Sequence, residues 1–168
     1  MKEKYKTIVK VVMALLIGFW MLSIIPFNKN IKQEISANIY ENGVITDKTT
    51  VFIDGEKSNY LFRDDDSFSG KFHILSYEKT GREGMQAGIR WGDEQNIQRL
   101  RYYQNASFPD MDVIGTILIN KEMTELALMF TDGTVIATSN EIYTLYKNHV
   151  SYYPETGSTS VVGSIPEI

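Results

Sequence analysis

The chain has 168 residues, with 17 Lys+Arg against 21 Asp+Glu, a formal net charge of -4 and 43% hydrophobic residues, the size and balance of one domain. The acidic balance argues against sustained binding to nucleic acid, whose phosphates need a basic surface. With 0 cysteines, disulfides, thiolate metal sites, a cysteine nucleophile and a lipid anchor on cysteine are all excluded.

The first predicted element is apolar. Residues 11–27, VVMALLIGFWMLSIIPF, carry no charge, and Ile8 and Val9 lengthen the run to roughly 20 residues when Lys10 reaches back to the headgroups. About 20 helical residues at 1.5 Å each span a hydrocarbon core of roughly 30 Å. Lys2, Lys4, Lys6 and Lys10 precede this run and only Lys29 and Lys32 follow it closely. The positive-inside bias therefore places residues 1–10 in the cytoplasm and everything after Phe27 outside. A cleaved secretory signal is the alternative and fits less well. The small pair Ser36-Ala37 lies well beyond the apolar run, Ile35 is bulky where a cleavage site wants a small residue, and the core exceeds that of most signals. Charge divides in the same way: residues 1–10 carry +3, residues 11–28 carry none, and residues 29–168 hold -7.

Residues 28–34, NKNIKQE, read as a polar stalk, and a strand-rich body follows. Residues 35–41 alternate loosely before Asn42-Gly43, a hairpin dipeptide. Residues 49–53 are β-branched and aromatic, Asp54-Gly55 reads as a second hairpin turn, and residues 59–62 return along it. Phe68, Gly70, Phe72 and Ile74 fall on one strand face, with Lys71, His73 and Leu75 on the other. After a glycine-rich turn at 80–84, residues 85–91 and 98–103 predict two more strands. Residues 113–119, 124–130 and 134–138 form a β-meander punctuated by turns at 120–123 and Asp132-Gly133.

Ser139 or Asn140 caps a short helix through His149, with Glu141 in its first turn and Ile142, Leu145 and Tyr146 on one face. The tail 151–168 has turn formers without periodicity and is expected to be disordered. Within it, Tyr153-Pro154-Glu155-Thr156-Gly157 resembles a cell-wall sorting signal. It has tyrosine in place of the leading leucine and is not followed by an apolar span and basic tail, so no covalent wall attachment is expected.

Three groups of residues are candidates for chemistry. Asp64, Asp65 and Asp66 are the densest charge, but consecutive side chains on extended backbone do not converge on one ion, and the EF-hand spacing is absent. His73 and His149 are the only histidines, and no H-E-x-x-H or H-x-H spacing supports a zinc site. The best recognition candidate is Arg90, Trp91, Arg99, Arg101, Tyr102 and Tyr103, because arginine and aromatic side chains dominate binding hot spots. The plainer alternative makes Trp91 a core residue and the arginines one solvated strand face. Asn105-Ala106-Ser107 matches the N-glycosylation tripeptide, a pattern common by chance.

The expected architecture is all-β, a mostly antiparallel sandwich or partly closed barrel, behind one N-terminal transmembrane helix and ahead of a short C-terminal helix. The divisions are a basic cytoplasmic segment 1–10, a signal-anchor helix 11–27, a stalk 28–34, an extracytoplasmic β domain 35–150 and a tail 151–168. The functional expectation is a single-pass membrane protein whose outer domain binds an envelope protein or glycan, with no cofactor, no metal site and no catalytic constellation. Two alternatives stand beside it. One is a small exported hydrolase using residues Asp64–Asp66 and His73; the other is an accessory subunit of a membrane or envelope assembly, in which Gly18 lets partner helices approach.

Overall fold

A computed structural model of the chain describes residues 2–63, 65–92, 96–105, 115–163, 165 and 168. Asn42 and Gly43 both hold positive φ, 52° and 85°, the turn that folds two strands back with the native twist. On either side lie β1, Phe27–Glu41, and β2, Val44–Asn59. Six shorter strands follow: β3, Ser67–Ile74; β4, Met85–Arg90; β5, Gln98–Gln104; β6, Gly115–Ile119; β7, Leu126–Met129; and β8, Val135–Ala137. Each is antiparallel to its predecessor, and β8 returns to β1 to complete a closed eight-stranded barrel.

Alternation decides what the barrel contains. Ile39, Val51, Ile53, Phe68, Phe72, Ile74, Ala87, Ile89, Leu100, Tyr102, Ile117, Leu128 and Ile136 belong to one buried cluster and fall at every second position of their strands, which is the inward row of a pleated sheet. A second cluster lies on the outside. Helix α2, Asn140–His149, is capped by Ser139, whose Oγ accepts from the Ile142 amide at 3.2 Å. Its Ile142 and Tyr146 cover Leu118, Ala127, Met129, Val135 and Ala137, the outward residues of β6, β7 and β8. The three final strands are thus buried on both faces, which is why they read as continuous apolar runs.

Three expectations are corrected. Residues 28–34 are not a stalk but the first half of β1, paired with residues 52–58 of β2. The polar alternation there reflects strand faces in contact with water. Asp54-Gly55 is not a turn, since β2 runs straight through it. Gly55 pairs with Gly70 of β3, and a Cβ on Gly55 would stand 2.5 Å from the Ser69 carbonyl oxygen and 2.9 Å from the Phe68 ring. Glycine is there because the two backbones and an aromatic ring meet. The tail is also ordered over part of its length, as β9, Val150–Tyr153, and β10, Ser158–Val161, form a hairpin, and Ile165 is buried.

Ahead of the barrel, helix α1 covers Lys2–Ile24, and its stretch Lys4–Ile24 is long and apolar enough to cross a membrane or to act as a signal sequence. Leu15, Trp20 and most of the helix are exposed, while the Phe19 ring meets that of Phe62 at 4.6 Å. The helix ends before the expected boundary at 27 because Pro26 disfavours helical backbone in the residue before it and lacks an amide donor. Only Ile25 and Pro26 separate α1 from β1.

Gly55→Ala and Gly70→Ala are each expected to cost about 1–3 kcal/mol or more, the range for forcing atoms into a packed site. Gly18→Ala, with nothing within 4 Å of its added Cβ, is expected to leave barrel stability unchanged. Denaturant unfolding of the three variants in detergent checks both outcomes.

Candidate functional site

The lower end of the barrel, where β1 begins, is filled by its own side chains. Trp91 is buried and its indole N–H donates to the Ile119 carbonyl at 3.3 Å. Lys57 lies over the Trp91 ring, 5.0 Å from its centre, and its ammonium donates to the Lys121 carbonyl at 2.7 Å. Burial lowers the Lys57 pKa below its ordinary value, opposed by the nearby charge of Asp66. Gln33 donates to the Met123 carbonyl, so Lys57 and Gln33 hold the 120–125 loop across the opening and Trp91 holds the end of β6 before it. At the other end the rings of Tyr77 and Phe130 stack at 4.1 Å, and Thr80 hydrogen-bonds the Ile74 amide at 2.9 Å.

The outer surface is different on β3, β4 and β5. The ladder between β4 and β5 runs from Met85–Gln104 to Gly88–Arg101 and stops. Beyond it β4 continues with β3, and β5 pairs with β6 from Gln98 to Leu100. The two strands therefore part, leaving a trough of about 740 Å³. Arg90, Arg99, Arg101 and Tyr103 line it with Ser67, Ser69 and Asp65, and the buried Phe68, Ile89 and Trp91 border it from the core side. Gly88 lies between Ser69 and Arg101 in this row, and the space its missing side chain leaves is bordered by the Tyr103 ring, 3.4 Å from where a Cβ would stand. All three arginines are exposed, and among the described residues none has a carboxylate partner. Asp65 is engaged by Arg63 at 2.8 Å.

This arrangement sorts the recognition candidates. Arg90, Arg99, Arg101 and Tyr103 share one outer surface. Trp91 borders the trough but is anchored in the core. Tyr102 is inside the barrel, fully buried, with its hydroxyl donating to the Phe72 carbonyl at 2.8 Å; burial raises its pKa well above the ordinary value, so it remains a neutral donor. Adjacent residues on a strand point to opposite faces, and so Tyr102 and Tyr103 do not form one aromatic platform. Gly88 and the end of the β4–β5 ladder were missed, because the sequence carries no signal for where a ladder stops.

The acid/base candidates are not brought together. Asp66 is buried at the base of the β2–β3 loop, where Oδ1 accepts from the Tyr60 amide at 3.0 Å. His73 is on the outer face of β3, stacked on Phe52 at 5.9 Å, roughly 23 Å further along the strand at 3.3 Å per residue. Asp64 lies outside the described residues, as do Ala106 and Ser107 of the glycosylation tripeptide. No group of three or more potential metal-ligating side chains occurs among the described residues. No family model, curated protein or solved structure matches the chain.

Tyr102→Phe strands the buried Phe72 carbonyl and is expected to cost about 1–3 kcal/mol, whereas Tyr103→Phe is expected to stay within about 0.5 kcal/mol; chemical denaturation compares them. Burial, helped by Lys71, lowers the His73 pKa below 6.5. The unfolded chain then takes up the proton first, so this residue's contribution is intact above about pH 6.5 and is lost as pH falls through the depressed folded value. Wild type is expected to lose more melting temperature than His73→Gln across that interval.

Proposed function

We propose that the protein is a single-pass membrane protein, held by α1 with residues 1–10 in the cytoplasm, whose barrel stands outside the membrane and binds an anionic partner in the arginine-lined trough. The observation that carries this reading is the gathering of Arg90, Arg99 and Arg101 around one concavity, all three exposed and without a carboxylate partner among the described residues, on a chain whose net charge is -4. Unpaired guanidinium groups are planar, fixed donors suited to carboxylate or phosphate oxygens.

An acidic segment of an envelope protein suits the trough better than a glycan does. Where the described β4–β5 ladder stops at Gly88 and Arg101, an extended chain can add to the facing strand edges, and three guanidinium groups along them match the carboxylates of an acidic peptide. The anchor reading draws on the exposed apolar helix and on the lysines that precede it.

Replacing Tyr103 in the full-length chain with a photo-reactive residue is expected to capture a discrete partner in intact cells. The adduct should collapse on proteolysis if the partner is a protein. Arg99→Glu combined with Arg101→Glu is expected to reduce capture tenfold or more, since each charge-assisted contact is worth about 1.5–3 kcal/mol. Capture no stronger than from position 48, or unaffected by the charge reversal, would count against the trough as the binding site; a protease-resistant adduct would point to a glycan.

A further inference from the structure

The loop joining β2 to β3 carries two large apolar side chains at its tip, Leu61 and Phe62, 57% and 54% exposed. Its base is held firmly. Asp66, buried, accepts from the Tyr60 amide at 3.0 Å and offers its carbonyl to the Trp91 amide at 2.8 Å. Arg63 lies over the Tyr60 ring at 5.6 Å and pairs with Asp65 at 2.8 Å. A loop so pinned projects residues 61 and 62 from the barrel as a fixed pair.

Their position relative to α1 gives the pair a meaning. β2 ends beside the start of β1, with Asn59 opposite Phe27, and Phe27 follows the helix after only Ile25 and Pro26. The Phe62 ring lies 4.6 Å from that of Phe19. Phe19 is five residues inside the end of α1, a depth of about 7.5 Å along a helix rising 1.5 Å per residue. Tyr60 and Arg63 flank the pair in the loop, and Lys29 follows Phe27 by two residues on β1; these are side chains that favour a headgroup layer.

We infer that the 60–63 loop is a second membrane contact, inserting Leu61 and Phe62 into the outer leaflet beside α1 so that the barrel is seated on the bilayer in one orientation instead of swinging from a tether. The occupant is lipid, because the loop is continuous with the anchor and its ring touches a residue that lies within the apolar span. This inference rests on the anchor reading above. Two points of attachment fix the tilt of the barrel, and with it the height at which the trough faces outward.

The chain has 0 cysteines, so single spin labels can be placed at Leu61→Cys, Phe62→Cys, Ile17→Cys and Ile45→Cys in the full-length protein. Each variant is reconstituted in vesicles of phosphatidylethanolamine and phosphatidylglycerol. Labels at 61 and 62 are expected to show the high oxygen and low nickel-complex accessibility of a lipid environment, several-fold less nickel contact than at 45. Position 45 serves as the aqueous reference because it lies at the far hairpin, roughly 45 Å away along β1 at 3.3 Å per residue. Water-phase values at 61 and 62 with lipid-phase values at 17 would overturn the seated barrel and leave the anchor standing. Water-phase values at 17 would overturn both.

Discussion

The fold depends on a seam of three residue pairs. Asn38, Ile39 and Tyr40 of β1 meet Ala137, Ile136 and Val135 of β8, and without that pairing the eight strands would be an open sheet with two unsatisfied edges. So short a ladder is held from both sides. Ile39 and Ile136 enter the interior cluster. Outside, Tyr40 stacks on Tyr143 of α2 at 3.9 Å, and Val135 and Ala137 lie under the same helix. Lower on β1, Gln33 reaches the carbonyls of Glu122 and Met123, so side-chain hydrogen bonds continue the closure where backbone pairing with β8 ends.

Closing the barrel leaves no room inside it. Its inward rows are occupied by isoleucine, leucine and aromatic side chains, and the lower mouth is sealed by Trp91 on the end of β6 and by Lys57 and Gln33 on the 120–125 loop. The second cluster under α2 covers β6 to β8. The outer face of β3, β4 and β5 has no such cover, and there the parting of β4 from β5 creates the trough. Burial on both faces on one side and exposed arginines on the other make the barrel strongly asymmetric.

Much of this could be read from residue order. Asn42-Gly43 marks the first hairpin, Asp132-Gly133 a later one, and Ser139 or Asn140 the cap of α2, which the structure assigns to Ser139, because each dipeptide or cap has a local conformational cause. The same reasoning misled at Asp54-Gly55. A glycine that serves a turn and a glycine that makes room for an opposing backbone look alike in sequence, and only the presence of Gly70 and Phe68 across the ladder distinguishes them. The polar run 28–34 likewise reads as a stalk in sequence, since its partner residues in β2 lie 18 to 30 positions further along the chain.

The candidate site divides in the same manner. Arg99 and Arg101 were legible as one strand face because they alternate with Leu100 and Tyr102, and this periodicity also separates Tyr103 from its buried neighbour. Sequence by itself determined the apolar helix at the N-terminus, the strand-rich body and the identity of the exposed cations, all of which follow from local composition and period. Only the tertiary structure decided that the strands close into a barrel, that Trp91 plugs its end and that β4 and β5 part beside three arginines. Those outcomes depend on which strands pair and where each ladder stops, a balance of non-local contacts that no single segment carries.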